Sequence, residues 1–375
     1  MILWVKSGEF FCFDKAACYH LNFTRFTICP LDACSGWMIF AGRAGTLLKD
    51  MDADHKFLSQ FDGHFDAINT ALDRPLCTRV PLIEEIGRHS LLGKGKRLRP
   101  LLFVLSAELC GYRGSDVYHL STIFEYIHTA SLLHDDVLDN AETRRRKPAA
   151  RHVWGNAAAV MGGDFLFARA SAVALECDKP EIIRVLSEAT ARMVEGQFLE
   201  LRHTHDWHTR EEQYMEIIIS KTAELMAAAC ACGGILAGAE TLAIKGLRDF
   251  GLNLGIAFQI MDDILDYSSC EEEFGKPVGK DLREGKITLP LIYALRGMNR
   301  EEVDRRAEPF RNQGTGDEEY RNLITLVRSQ GNLDTIRSEA RAFAGKAERF
   351  LSVFPDSPFR ERLLSLNSYL LERSF

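Results

Sequence analysis

Between Pro180 and Pro277 no proline interrupts the chain, and nowhere in that stretch do apolar and polar residues alternate as they would in a strand. Proline breaks helix interiors, so a long proline-free run without period-two patterning reads as helix. The same texture begins near Phe57, where Phe57, Phe61, Phe65 and Ile68 recur at helical steps. Pro75 and Pro81 then break the chain, and Pro81-Leu82-Ile83-Glu84-Glu85 reads as a helix start with proline in its first turn. Gly111–Gly114 and Gly233-Gly234 punctuate without dominating, and Pro309–Asp317 is a polar loop between late helices. The expected architecture is all-α, with one large domain over residues 51–375. Residues 1–50 differ, being rich in Phe, Cys and Trp with few charges and no helical or strand period. They are expected to be a poorly ordered extension, with Met51 as the alternative start.

Hydrophobic residues at 46% and charged residues at 26% belong to an ordinary soluble protein. A net charge of −7 argues against nucleic-acid binding through bulk charge. The uncharged stretch Leu225–Ala239 falls short of the roughly 18–20 apolar residues of a membrane span. Lys6, Glu9, Asp14 and Lys15 interrupt any signal-peptide core. The chain is therefore expected to be cytoplasmic, without a transmembrane segment. Cys12, Cys18, Cys29 and Cys34 lie near the start, and the close pair Cys230 and Cys232 has no Cys/His partner at zinc-like spacing. Reduced, buried, inert thiols are expected.

The chemistry is announced by an acidic motif that occurs twice. One copy is Asp135-Asp136-Val137-Leu138-Asp139, the other Asp262-Asp263-Ile264-Leu265-Asp266, both in apolar helical surroundings. At about 100° per residue, the first and fifth positions differ by about 40° and sit one turn apart. Asp135 and Asp139 thus share a face, as do Asp262 and Asp266. Unpaired carboxylates in apolar surroundings are costly, and hard oxygen donors without His or Cys suit Mg²⁺ bridging to substrate phosphates. A solvated helix face would explain one such motif; two, each flanked by Leu and Ile, leave that account weak.

Cations are arranged to match. Gly95-Lys96-Arg97-Leu98-Arg99-Pro100 packs three between a glycine and a proline, and Arg144-Arg145-Arg146-Lys147 follows the first acidic motif. His128 precedes Asp135 by two helical turns, and Lys221-Thr222 and Lys280 are further candidates. Any one basic cluster alone would read as solvated surface. Beside two Mg²⁺-type motifs, the simpler account is a diphosphate site gripped by arginine forks.

These motifs, Gly95–Pro100, His128–Asp139, Arg144–Arg145, Lys221-Thr222, Phe258–Asp266 and Gly275–Asp281, resemble those of the trans-polyprenyl diphosphate synthases, the head-to-tail isoprenoid chain elongases. The resemblance runs from about residue 55 to the C-terminal Tyr369–Arg373. It implies an antiparallel helix bundle around a deep apolar cavity, usually as a homodimer. It implies that Lys96, Arg99, His128 and Arg145 bind isopentenyl diphosphate. Asp135, Asp139, Asp262 and Asp266 would hold a cluster of up to three Mg²⁺ ions, and Arg144, Lys221, Thr222, Gln259 and Lys280 would contact the allylic diphosphate. Departure of that diphosphate would leave an allylic cation for isopentenyl diphosphate to attack, with Thr222 and Gln259 oxygens helping to stabilise it.

Competing readings are a class I terpene cyclase, a non-catalytic partner subunit and a Mg²⁺-dependent hydrolase. Cyclases resemble the chain less at its second acidic motif and lack the basic cluster, and partner subunits lose the acidic motifs that are whole here. Product length depends on the cavity floor. In that family bulky residues one turn before the first acidic motif act as the floor; here the positions five and four residues before Asp135 are the small Ala130 and Ser131, so the resemblance implies a long product of the octaprenyl or heptaprenyl kind used in quinone tails rather than a farnesyl or geranylgeranyl one. Met161 or Phe165 lower down are the candidates for an earlier stop.

Overall fold

The computed structural model describes residues 57–93, 95–145, 147–268, 278–311, 315–329 and 331–372 in full, and the backbone of 2–6, 9–14 and 17–21. The chain divides into two units, Met1–His55 and Lys56–Phe375.

In the first unit, β1 (Ile2–Lys6), β2 (Glu9–Asp14) and β3 (Ala17–Leu21) form an antiparallel sheet in that order, pairing Ile2 with Phe13 and Phe10 with Leu21. These strands form where the sequence shows no strand period. Ile2–Val5 and Phe10–Phe13 are continuously apolar, and such runs carry no period-two signal. The overlooked cue is Ser7-Gly8 between them, a spacing and composition suited to a hairpin turn. Met51 and the order of residues 22–50 lie outside the described residues.

Among the described residues the second unit is all-α apart from a two-residue ladder. Its early helices are α1 (Asp62–Leu72), α2 (Pro81–Leu91), α3 (Leu98–Leu109) and α4 (Val117–Leu138). The hairpin of β4 (Thr143–Arg144) and β5 (Lys147–Pro148) then leads into α5 (Ala150–Leu175) and α6 (Pro180–His203). Next, α7 (Glu211–Ile218), a π-turn (Ile219–Ala223) and α8 (Glu224–Leu236) form one rod, followed by α9 (Thr241–Ser268). Shorter elements complete the chain: α10 (Lys280–Arg283), α11 (Leu289–Leu295), α12 (Arg300–Ala307), α13 (Asp317–Ser329), α14 (Asn332–Phe350) and α15 (Pro358–Glu372). Pro81 and Pro180 each occupy a first turn, where the missing N–H has no intrahelical partner to lose. Asn299 caps α12 reciprocally with Glu302.

Every residue of α8 from Leu225 to Leu236 is buried, with α3, α6 and α9 packed around it. A helix apolar on all sides belongs inside a bundle, and truncating one such leucine, Leu225, to alanine should cost roughly 2–5 kcal/mol. On one side of this core α4 runs between α3 and α5; on the other α9 runs between α8 and α14. The C-terminal ends of α4 and α9 carry the two acidic motifs. A smaller cluster of Trp207, Tyr267, Leu282, Leu291 and Val327 secures the chain that returns after α9.

Cys230 and Cys232 are buried in α8, and burial pushes their thiols up, that of Cys230 to about 12. Both are free, as expected of inert core thiols, whereas Cys77 is exposed. By length and composition alone Ala150–Leu175 and Glu211–Leu236 could cross a membrane, which the uncharged-run criterion overlooked. The apolar window of the second is 78% buried, as befits a core element.

Candidate functional site

On each acidic motif the helix turns the second aspartate into the protein, away from the face shared by the first and fifth. Asp136 is buried and receives both the Nε of Arg144, at 2.7 Å, and its terminal nitrogen. Asp263 is buried in the same way, accepting from the Tyr214 hydroxyl at 2.7 Å and the Gln259 amide at 2.8 Å. These two aspartates hold structure. Burial, with Asp281 nearby, keeps Asp263 well above the usual carboxylate range.

The remaining carboxylates meet lysines. Asp135 lies 3.7 Å from Lys221 Nζ, whose closer partner is Glu200 at 2.7 Å. Asp139 lies 3.1 Å from Lys286 Nζ, which also reaches Glu284 at 2.7 Å. Asp266 accepts from the backbone N–H groups of Lys280 and Asp281, each at 3.1 Å. Burial nevertheless raises both Asp135 and Asp266, and it raises Asp281, with help from Asp266, to about 7. Lys286 is held charged: burial opposes its charge, but Glu200, Glu284, Asp139 and Asp281 together outweigh that. The region holds more carboxylate than its lysines neutralise, the condition that favours a bound cation.

Lys221 and Thr222 owe their position to the π-turn, an interruption that recurs at functional sites. Gly196 of α6 makes room for it: a Cβ there would fall 2.6 Å from the Lys221 nitrogen. Thr222 donates to the Gln259 carbonyl oxygen at 3.0 Å, so the two oxygens expected to face a cation are joined to each other and onward to Asp263 and Tyr214. Glu200, Lys221, Thr222, Gln259, Asp281 and Lys286 line a shared pocket of about 690 Å³.

The basic segment divides by role. Arg97, with φ of 49°, is 4% exposed and fully engaged by Glu125 at 2.5 Å, Asn69 at 3.0 Å and the Leu91 carbonyl at 2.5 Å. Arg99 is different: its Nε is buried without a partner, and burial lowers it to about 10 although Glu125 and Asp262 favour its charge. His128 is pushed well below the usual imidazole range by burial and by Arg99, Arg145, Arg144 and Arg97 around it. Burial likewise lowers Arg145. Gly95 lets this crowd assemble, since a Cβ there would fall 2.7 Å from an Arg145 terminal nitrogen. Lys96 is exposed at the edge. A neutral imidazole among guanidinium groups, one with an orphaned donor, suits a phosphate-bearing ligand.

The structure therefore groups Arg99, His128 and Arg145, and separately Asp135, Asp139, Lys221, Thr222, Gln259 and Asp266. Asp262 lies within electrostatic reach of Arg99. Part of the Arg144 fork is committed to Asp136, and the Lys280 ammonium faces Glu284 at 3.0 Å. Ala130 is buried, and Ser131 donates to the His128 carbonyl at 2.8 Å. Met161, offered as a lower floor of the cavity, is instead 70% exposed on the outer face of α5, which corrects that expectation; Phe165 packs on the core. Gly275, Lys276 and Arg146 lie outside the described residues. The sequence reading missed Glu200 and Lys286, and it named Asp281 only as the end of the Gly275–Asp281 motif, without a role. Lys286 lies 147 residues from its partner Asp139, and no local pattern announces such a pairing.

Residues 80–327 match the family described as polyprenyl synthetase. The chain is 40% identical to the octaprenyl diphosphate synthase of Escherichia coli over 82% of its own length and 94% of the relative's. It is 35% identical to a nonaprenyl diphosphate synthase of Rhodobacter capsulatus over 86% and 99% of the two chains. Among solved structures, a polyprenyl synthase of Caulobacter crescentus, complexed with calcium and isoprenyl diphosphate, superposes with a TM-score of 0.79 at 38% identity, covering 85% of this chain and 98% of that one.

Proposed function

The chain belongs to the polyprenyl synthetase family and is a prenyltransferase, and from that premise we propose that it extends an allylic diphosphate with isopentenyl diphosphate into a long all-trans polyprenyl diphosphate for a quinone side chain. The observation that carries this reading is that Lys286 pairs with Asp139 of the first acidic motif, the loop before it closes on Asp266 of the second, and the Arg99–His128–Arg145 cluster reaches Asp262. Two phosphate-handling sites of different chemistry, one metal-dependent and one purely cationic, are what a two-substrate diphosphate condensation requires.

Arg99, His128 and Arg145, with Lys96 at the rim, hold the isopentenyl diphosphate; the neutral His128 donates one N–H to it. Lys221 and Lys286 face the departing diphosphate and offset its charge. The Thr222–Gln259–Asp263–Tyr214 chain fixes the wall beneath the reacting carbon. Asp135, Asp139, Asp262 and Asp266 would hold Mg²⁺. The donor set fits, being all oxygen, with burial disfavouring the bare carboxylates of Asp135 and Asp266. No ready-made cage of three or more ligands exists among the described residues, and Mg²⁺ shared between carboxylates and substrate phosphates needs none. When bound, it stabilises charge on the leaving diphosphate.

The relatives named for octaprenyl and nonaprenyl products support the long-chain assignment, as does the small Ala130. A homodimer is supported by the outer faces of α5 and α6, where Met161 and Leu175 are each 70% exposed and Phe198 69%. An apolar face of that kind is what a second copy covers. Incubating the protein with Mg²⁺, an allylic primer and radiolabelled isopentenyl diphosphate, then sizing the dephosphorylated prenols, tests the whole reading. Absence of any elongated prenol would end it.

A further inference from the structure

We propose a second anion site, for a small phosphate-class anion, in the pocket enclosed by α2, α4 and the β4–β5 hairpin. It is small and partly open, and its polar lining is His89, Ser90, Thr129, Asp136, Arg144, Arg145 and Lys147. Lys96, Arg99 and His128 are absent from that lining, so the pocket is separate from the cationic cluster and shares only Arg145 with the isopentenyl diphosphate site proposed above. The inference stands whichever prenyl substrates the enzyme uses.

Charge and unmet hydrogen bonding both point to an anion. Among the described residues, three cations line the pocket against one carboxylate, Asp136, which Arg144 already engages. Arg145 is a half-buried guanidinium whose charge burial disfavours and which the more distant Glu125 only partly offsets. Independently, Thr129 is only 2% exposed, lines the pocket, and its hydroxyl has no partner. A hydroxyl can donate to a phosphate oxygen, and leaving it unsatisfied is unfavourable. The walls are already set. His89 Nε2 donates to the Pro148 carbonyl at 2.9 Å and the ring meets Trp154 edge-on at 5.1 Å, fixing the hairpin to α2. An anion here would draw on Arg145 from the side away from the cluster, coupling its occupancy to isopentenyl diphosphate affinity reciprocally.

The test is a titration of inorganic phosphate into the full-length Arg99→Met variant, in which the cationic cluster is weakened, followed by ³¹P NMR. One phosphate should bind. Adding Thr129→Val and Lys147→Gln together should weaken it at least about tenfold, a loss of roughly 1.4 kcal/mol. Lys147 is exposed, so Lys147→Gln alone, expected to show part of the loss, cannot act by unfolding the protein. In the Arg99-intact chain neither substitution should move the KM for isopentenyl diphosphate when phosphate is absent. Parallel titrations with inorganic diphosphate and isopentenyl diphosphate tell a free anion from a prenyl ester. Failure of the Arg99→Met variant to bind phosphate, or unchanged affinity in the triple variant, overturns the site.

Discussion

Arg97 and Arg99 stand two residues apart in one basic segment, and the structure assigns them opposite roles that a pair of substitutions can separate. Arg97 and Glu125 form a salt bridge in which both side chains are 3% exposed. Arg97→Met would leave the Glu125 carboxylate buried without its partner and would also free Asn69 and the Leu91 carbonyl. Breaking a buried pair from one side costs about 3–5 kcal/mol, equivalent to about two to three and a half decades in the folding equilibrium. Arg99 has a buried Nε with no partner and a charge that burial disfavours. Arg99→Met should therefore cost less than about 1 kcal/mol, while raising the KM for isopentenyl diphosphate at least about tenfold through loss of a charge-assisted phosphate contact. Urea denaturation followed by circular dichroism measures the first quantity and steady-state kinetics the second. Arg97→Met combined with Glu125→Leu should recover much of the lost stability, because an apolar pair of similar volume often replaces a buried ion pair at little cost. The reasoning fails if Arg97→Met unfolds no more easily than wild type, or if Arg99→Met is the variant that loses stability.

Asp135→Ala or Asp262→Ala should lower turnover by several powers of ten with circular dichroism unchanged, and EDTA should abolish activity; full activity in EDTA would remove the metal from the scheme. Lys286→Met should depress kcat and use of the allylic substrate more than the KM for isopentenyl diphosphate, because Lys286 lies against Asp139 rather than in the cationic cluster; an equal effect on both substrates would contradict that placement. His64, like His128, has an imidazole that burial pushes down, so each binds its proton more readily unfolded than folded. Their contribution to stability is present above the unfolded pKa of about 6.5 and is lost as pH falls through that value toward the folded one. Urea midpoints between pH 7.5 and 5 should decline less steeply in His128→Gln; an identical slope would mean that His128 is not held neutral. Ala130 is buried one turn before Asp135, and Ala130→Phe should shorten the prenol products to about three or four isoprene units, since each unit needs about 4–5 Å of extended path. An unchanged product distribution on chromatography would send the chain along another wall.

What the sequence made legible follows the range of the interactions involved. The helices of the second unit could be read because their apolar faces repeat every three or four residues, and the acidic motifs because five consecutive residues fix which carboxylates share a face. The inward turn of Asp136 and Asp263 is implicit in that geometry, since a second position rotated by about 100° leaves the face shared by the first and fifth. The separation of Arg97 from Arg99 is less visible, because Arg97 precedes α3 in a left-handed backbone conformation and its partner Glu125 comes from α4. Glu200 and Lys286 were beyond reach for the same reason. Glu200 would pass for an ordinary helix acid until a π-turn brings Lys221 within 2.7 Å, and Lys286 for a loop cation until α10 and the turn after it bring its ammonium to Asp139. Short apolar strands defeated the reading in the opposite way: Phe10–Phe13 has a local pattern, but one equally compatible with a buried helix segment. Met161 failed because its expected place came from sequence distance along a wall, whereas α5 turns that position outward. Residues whose partners lie within one turn could be assigned from sequence, and those whose roles arise where two distant helices end side by side could not. The cation balance of the site is set by this second group, so the electrostatics of catalysis were the part least available before the fold was known.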